Sequence, residues 1–90
     1  MNNENKHIDA TFNLVASEII KKYREKSGMS LSELARKVKL SKNMIFKYEN
    51  NISRMKITPF INICNALNLN PEDVFNEISI KAINRANKNN

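Results

Sequence analysis

The sequence predicts an all-α domain of five helices. Apolar residues recur at helical spacing in several segments, and no strand-like alternation persists. The chain has one Gly and two Pro, a composition suited to helices joined by short turns. Helix cap signals mark most of the boundaries. Ninety residues make one domain with a shallow core, enough for a few helices and too little for a large catalytic cleft.

Taken in order, residues 1–8 (MNNENKHI) read as a disordered polar lead. Asp9 can cap a first helix running to about Lys26, with Phe12, Val15, Ile19, Ile20 and Tyr23 at helical spacing. Gly28 supplies the left-handed stop. Ser30 precedes Glu33 by three positions, a capping box for a short second helix with Leu31, Leu34, Ala35 and Val38 on its apolar face. Ser41 can cap a third helix over residues 42–50, and Asn51 tolerates the left-handed conformation that would end it. After the basic loop ISRMK, a fourth helix runs from about Ile57 to Leu67, with Pro59 in its first turn. Cys64, among Ile57, Phe60, Ile61 and Leu67, reads as a small buried residue. Asn70 caps the fifth helix, Pro71 takes its first position, and Glu72 and Asp73 suit its positive end. That helix reaches about Ala86, with Phe75, Ile78 and Ala82 on its packing face, and residues 87–90 fray. The domain therefore spans residues 9–86.

The net charge of +6 is concentrated. Residues 30–56 hold seven Lys or Arg against two Asp or Glu, whereas the segments on either side are nearly balanced. A focused basic patch on a small domain favours an anionic polymer or surface as partner. Cys64 is the only cysteine, so no intrachain disulfide can form, which fits a reducing, cytoplasmic setting. The sequence holds no apolar run approaching the roughly 18 residues of a membrane span, and its polar N-terminus lacks a signal-peptide core. His7 and Cys64 are far apart, so no metal constellation is expected. No cofactor is expected either, and no enzyme, for want of a nucleophile–base pair or a phosphate-cradling Gly loop.

Two short helices joined by about three residues, with Leu34, Ala35, Val38, Leu40, Ile45 and Tyr48 as apolar positions, describe a helix-turn-helix over about residues 31–50. Ala35 is small where the helices cross, Leu40 plugs the turn, and Ile45 and Tyr48 anchor the second helix. Residues 16–75, through YREKSGMSLSELARKVKLSKNMIFKYENN and then ITPFINICNALNLNPEDVF, resemble the lambda-repressor/Cro-like (XRE) family of bacterial and phage DNA-binding domains. The resemblance implies a five-helix lambda-repressor-like bundle. It also implies an ion pair between Arg24 and Glu49 tying the first helix to the third. The sequence departs from the family's usual pattern at Lys39 and Asn51, where Gly is common, and at Leu31, where a phosphate-bonding Gln is common.

A helix advances roughly 100° per residue. If the third helix faces the core midway between Ile45 and Tyr48, Asn43 and Asn50 point away from it, and Phe46 and Lys47 lie about 130° round on opposite sides. Lys42 and Met44 fall on the flanks, with Met44 either sealing the core edge or reading a base. A DNA major groove admits one helix and offers donors, acceptors and methyl groups to such a face. The expected base contacts are Lys42, Asn43, Phe46 and Lys47, with adenine the natural partner of Asn43. Lys47 could instead contact only phosphate, and Phe46 could instead meet a protein. The expected phosphate contacts are Ser30 and Ser41 at helix N-termini, then Asn50, Ser53, Arg54 and Lys56.

These readings point to a sequence-specific regulator of transcription on double-stranded DNA, most simply a nucleoid-associated repressor. The alternative is an antitoxin-like or adaptor protein that binds a protein partner, with or without DNA. The family resemblance implies a homodimer on two half-sites. Ile80 and Ile83, to the side of the fifth helix's packing face, are the dimer candidates, and the first helix with Phe12 and Val15 is the other docking surface.

Overall fold

The structure, a computed structural model, describes the backbone of residues 3–88 and the side chains of residues 8–88. Five helices follow one another: α1 (Asn3–Lys26), α2 (Leu31–Val38), α3 (Lys42–Glu49), α4 (Ile57–Ala66) and α5 (Pro71–Lys88). No strand occurs among the described residues. α1 packs on α5 and α3, α2 on α3 and α4, and α4 on α5. Ile20, Leu34, Ile45, Ile63, Cys64 and Ile78 are fully buried where these helices converge.

α2 and α3 have eight residues each, too short to persist alone. Their ends are held by specific bonds. The Ser30–Glu33 capping box is formed, each residue's backbone N–H donating to the other's side chain at 3.1 Å. At α3, the Met44 N–H donates to Ser41 Oγ at 3.0 Å. Asn70 Oδ1 accepts from Glu72 N–H at 2.8 Å and opens α5. The first four helices all close in the same way. A left-handed residue follows each one: Gly28 (φ 76°), Lys39 (φ 58°), Asn51 (φ 56°) and Asn68 (φ 59°). The next N–H then reaches back five residues, from Met29 to Arg24, Leu40 to Ala35, Ile52 to Lys47 and Leu69 to Cys64. Lys39 adopts the left-handed form despite its side chain, so the missing family glycine does not change the turn.

Several boundaries and faces differ from expectation. α1 begins at Asn3, so residues 3–8 of the expected lead are helical. They hold neither Gly nor Pro, and nothing stops the helix propagating back past Asp9. Met1 and Asn2, the rest of that lead, lie outside the described residues, as does the His7 side chain. α5 continues through Asn87 and Lys88, while Asn89 and Asn90 lie outside the described residues. On α5 the buried stripe is Val74, Ile78, Ala82 and Ala86. Phe75, expected on that stripe, is half exposed and meets Phe12 with ring centroids 5.5 Å apart. On α4 the buried residues are Ile63 and Cys64, and Ile57 and Ile61 turn outward. Apolar residues occur on more than one side of α4, so spacing alone does not fix which side is buried. Burial pushes the Cys64 thiol up to about 11.

Among the polar contacts that fasten α1 to the rest, besides the exposed Glu18–Arg85 pair at 3.1 Å, two clusters stand out. Arg24 is buried against Glu49 of α3, with Nε to Oε2 at 2.6 Å and Nη2 to Oε1 at 2.9 Å. Its Nη1 donates to the Met29 carbonyl at 2.8 Å. Glu77 of α5 accepts from the Tyr23 hydroxyl and pairs with Lys22 at 3.0 Å and Lys81 at 3.1 Å. The Tyr23 hydrogen bond, helped by the two lysines, pulls the Glu77 carboxyl down to about 2.

Removing one partner of the buried pair strands the other. Glu49→Ala is expected to cost about 3 kcal/mol in urea unfolding, and the apolar double variant Arg24→Met/Glu49→Leu to recover most of it. Glu77 makes a second, pH-dependent contribution. Its carboxyl titrates near 4.5 when unperturbed, as in the unfolded chain, and near 2 in the fold. Its stabilisation is thus present in full above about pH 4.5 and is lost as the pH falls towards 2. Stability of Glu77→Gln should fall less steeply over that window than that of the unaltered protein.

Candidate nucleic-acid interface

α3 presents the surface. Ile45 is fully buried and Tyr48 nearly so, which fixes the helix against α1 and α2. Glu49, beside Tyr48, turns inward to Arg24, so its charge is not offered to solvent. On the opposite side Lys42, Asn43, Phe46 and Asn50 are exposed, with Phe46 at 44 %. Met44 is half-buried on the flank. Lys47 is also half-buried. No hydrogen bond within the protein occupies the side chains of Lys42, Asn43 or Lys47 among the described residues. Their donors are free for a ligand.

The expected phosphate contacts separate into two groups. Arg54 and Lys56 are exposed in the loop after α3, and Ser53 is half-buried beside them. Ser41 caps α3 through its oxygen alone, and no acidic residue stands in that helix's first turn. The N-terminal end of α3 is therefore open to an anion. The N-terminal end of α2 is not equivalent. There the Glu33 carboxylate takes the Ser30 N–H, and those bonds hold Glu33 below the usual carboxylate range. The expected anion position at Ser30 already contains a fixed negative charge. Asn50 is also partly engaged, its Nδ2 donating to the Phe46 carbonyl at 2.8 Å. It closes the end of α3, with its Oδ1 and one amide hydrogen left over.

Sequence reasoning misses three further cations. Arg36, Lys37 and Lys39 are exposed on the last turn of α2 and in the turn itself. The charge imbalance of residues 30–56 is the available signal, and it points to the segment without naming these side chains. With Lys42, Lys47, Arg54 and Lys56 they make seven cations, none within salt-bridge distance of a carboxylate. The two acids of the segment are both committed, Glu33 to the α2 cap and Glu49 to Arg24. Outside the segment, among the described residues, Lys22, Arg24, Lys81 and Arg85 pair with carboxylates, and Lys21, Lys26 and Lys88 do not.

Two further surfaces lie outside the exposed face of α3, the second of them reaching Tyr48 at its base. Ile80 and Ile83 are exposed on the outer side of α5, at 62 % and 50 %. An apolar groove opens between α1, α4 and α5, lined by Phe12, Ile57, Phe60, Ile61 and Phe75, with Ser53 and Met55 of the basic loop at one side. Among the described residues no group of His, Cys, Asp and Glu could hold a metal ion. No helix there is long and apolar enough to cross a membrane.

The helix-turn-helix family model, HTH_3, matches residues 20–74. No curated protein matches the sequence. The crystal structure of the clp gene regulator ClgR from Corynebacterium glutamicum shares the fold, with a TM-score of 0.76 over 87 % of this chain and 83 % of that one. The two are 19 % identical. The matched family segment runs from the second half of α1 through the turn and α3 to the start of α5, and the five-helix order is that of a lambda-repressor-like bundle. The chain belongs to the helix-turn-helix family of the lambda-repressor-like (XRE) type.

Proposed function

We propose that this protein is a sequence-specific transcriptional regulator that places α3 in the major groove of double-stranded DNA as a homodimer. Its simplest action is repression, by occupying a site that polymerase needs. The observation that carries the reading is electrostatic. All seven cations of residues 30–56 are unpaired, and both acids of that segment are engaged elsewhere. Unpaired cations break no internal ion pair when they meet phosphate, and they displace counterions from the duplex. Family membership supports DNA binding as the use of that charge.

Within the site the roles divide. Asn43 has a free amide at the centre of the exposed face and suits adenine N6 and N7. Lys42 and Lys47 flank it, within reach of guanine acceptors or phosphates. Ser53, Arg54 and Lys56, with the open N-terminal end of α3 at Ser41, follow the sugar–phosphate strand and set position rather than sequence. Arg36, Lys37 and Lys39 add to the same field. A protein engaged this way resides with the nucleoid.

Dimerisation supplies the second half-site, about one helical turn away. Ile80 and Ile83 support the outer side of α5 as the contact. α5 carries Glu72 and Asp73 in its first turn and Arg85 and Lys88 in its last. Two antiparallel copies would bring the acidic end of each near the basic end of the other. The groove beside Phe75 favours an additional protein contact, which is where an adaptor role would reside.

Asn43→Ala is expected to weaken the preferred duplex by about 1–3 kcal/mol and to relax the base preference at one position. Arg54→Ala should weaken preferred and random duplexes alike and reduce the salt slope of binding by about one. Titrations of both variants on both duplexes at several salt concentrations check this, and equal losses from the two variants on every duplex would sink the assignment. Ile80→Asp with Ile83→Asp should convert a dimer to a monomer in light scattering without lowering helix content. A dimer that persists in that variant would shift the interface to the groove.

A further inference from the structure

We infer that Asn43 and Phe46 together read two neighbouring A·T base pairs, Asn43 through the adenine edge and Phe46 through the thymine methyl group. The inference rests on the major-groove reading above and specifies its ligand. Asn43 and Phe46 are three residues apart on α3 and both are exposed, so they are neighbours on one face. Three residues of α-helix advance roughly 4.5 Å along the axis. Successive base pairs are roughly 3.4 Å apart. A helix lying along the groove thus sets these two side chains over adjacent or nearly adjacent pairs.

The chemistry of the pair narrows the bases. An asparagine amide sets a donating NH2 beside an accepting oxygen, the complement of adenine N7 and N6. Phe46 offers no hydrogen bond, and 44 % of it stands in solvent. Of the four bases, thymine alone projects an apolar group into the major groove. The surroundings of Phe46 favour a base over a protein as its cover. Its exposed neighbours on α3 are Lys42, Asn43 and Asn50, and Met44 is turned to the flank. A protein-docking centre is a cluster of apolar anchors, whereas Phe46 is a single apolar group among a cation and amides. Covering it with a methyl removes apolar surface from water on both sides.

The test uses the full chain and the duplex it enriches from a random library. Each thymine of that duplex is replaced in turn by deoxyuridine, which removes the methyl and leaves every hydrogen-bonding group in place. One thymine per half-site, adjacent to the adenine whose preference Asn43→Ala relaxes, should lose affinity roughly fourfold, the worth of one buried methyl. The difference between thymine and uracil should vanish in Phe46→Ala and return in part in Phe46→Leu. Phe46 is exposed, so both variants should keep the helix content of the parent. If no thymine is sensitive while Asn43→Ala still relaxes its adenine, the Phe46 assignment falls and major-groove reading stands. If no duplex is enriched at all, both fall.

Discussion

The bidentate contact between Arg24 and Glu49 is the constraint on which the rest of the arrangement depends. One guanidinium joins three pieces of chain: α1, which carries it; α3, through the Glu49 carboxylate; and the α1–α2 connection, through the Met29 carbonyl. A bidentate fork fixes orientation as well as distance. It therefore sets the angle at which α3 leaves the domain. It also removes a negative charge from the far end of the helix whose other face is cationic. A buried ion pair adds little net stability over apolar residues of the same volume. Its contribution here is geometric and electrostatic, and it takes one of the two acids of the basic segment out of that segment's field.

Around that contact, economy of length dictates the rest. α2 and α3 are too short to hold themselves, and their persistence comes from caps and from the burial of Leu34, Ala35, Ile45 and Tyr48. The repeated helix closure contributes a second element of order. In each case the residue that makes the long backward bond is apolar: Met29, Leu40, Ile52 and Leu69. Three of these are packed against the core, so each turn is fastened by a bond and a contact together. Ile52 is the exception, 63 % exposed at the head of the basic loop. At the head of the loop that carries Ser53, Arg54 and Lys56 the turn is therefore held by the backbone bond without that contact, and the loop meets the core through Met55 instead.

Much of this is legible in the sequence because the governing interactions are local. Ser30 with Glu33, Ser41, and Asn70 with Pro71 mark helix starts by chemistry that acts within four residues. The same holds for Gly28 and Asn51 as stops. The angular division of α3 is also readable, since Ile45 and Tyr48 leave a single direction for the core. The Arg24–Glu49 pair comes from family resemblance, because nothing in the spacing of two residues in different helices reveals their contact. The failures have the opposite cause. Which side of α4 is buried depends on how α5 and α2 approach it, and several apolar residues compete for that place. Val74 and Phe75 can exchange roles for the same reason. Ser30 and Ser41 look alike as helix starts in the sequence, whereas in the fold an acid closes over the α2 end alone. Asn68 escapes notice as a left-handed stop, although an asparagine just ahead of the Asn70–Pro71 start is the available cue.

Cys64 sits in the middle of this packing with no exposed surface, and its thiol resists ionisation. Thiolate is the form that oxidants and alkylating reagents attack. In the folded state the chain's one sulfhydryl is therefore chemically silent, and any reaction at it must wait for α4 to separate from its neighbours. The rate of modification at that atom would accordingly count openings of the core, giving this small domain a built-in clock for its own excursions from the native state.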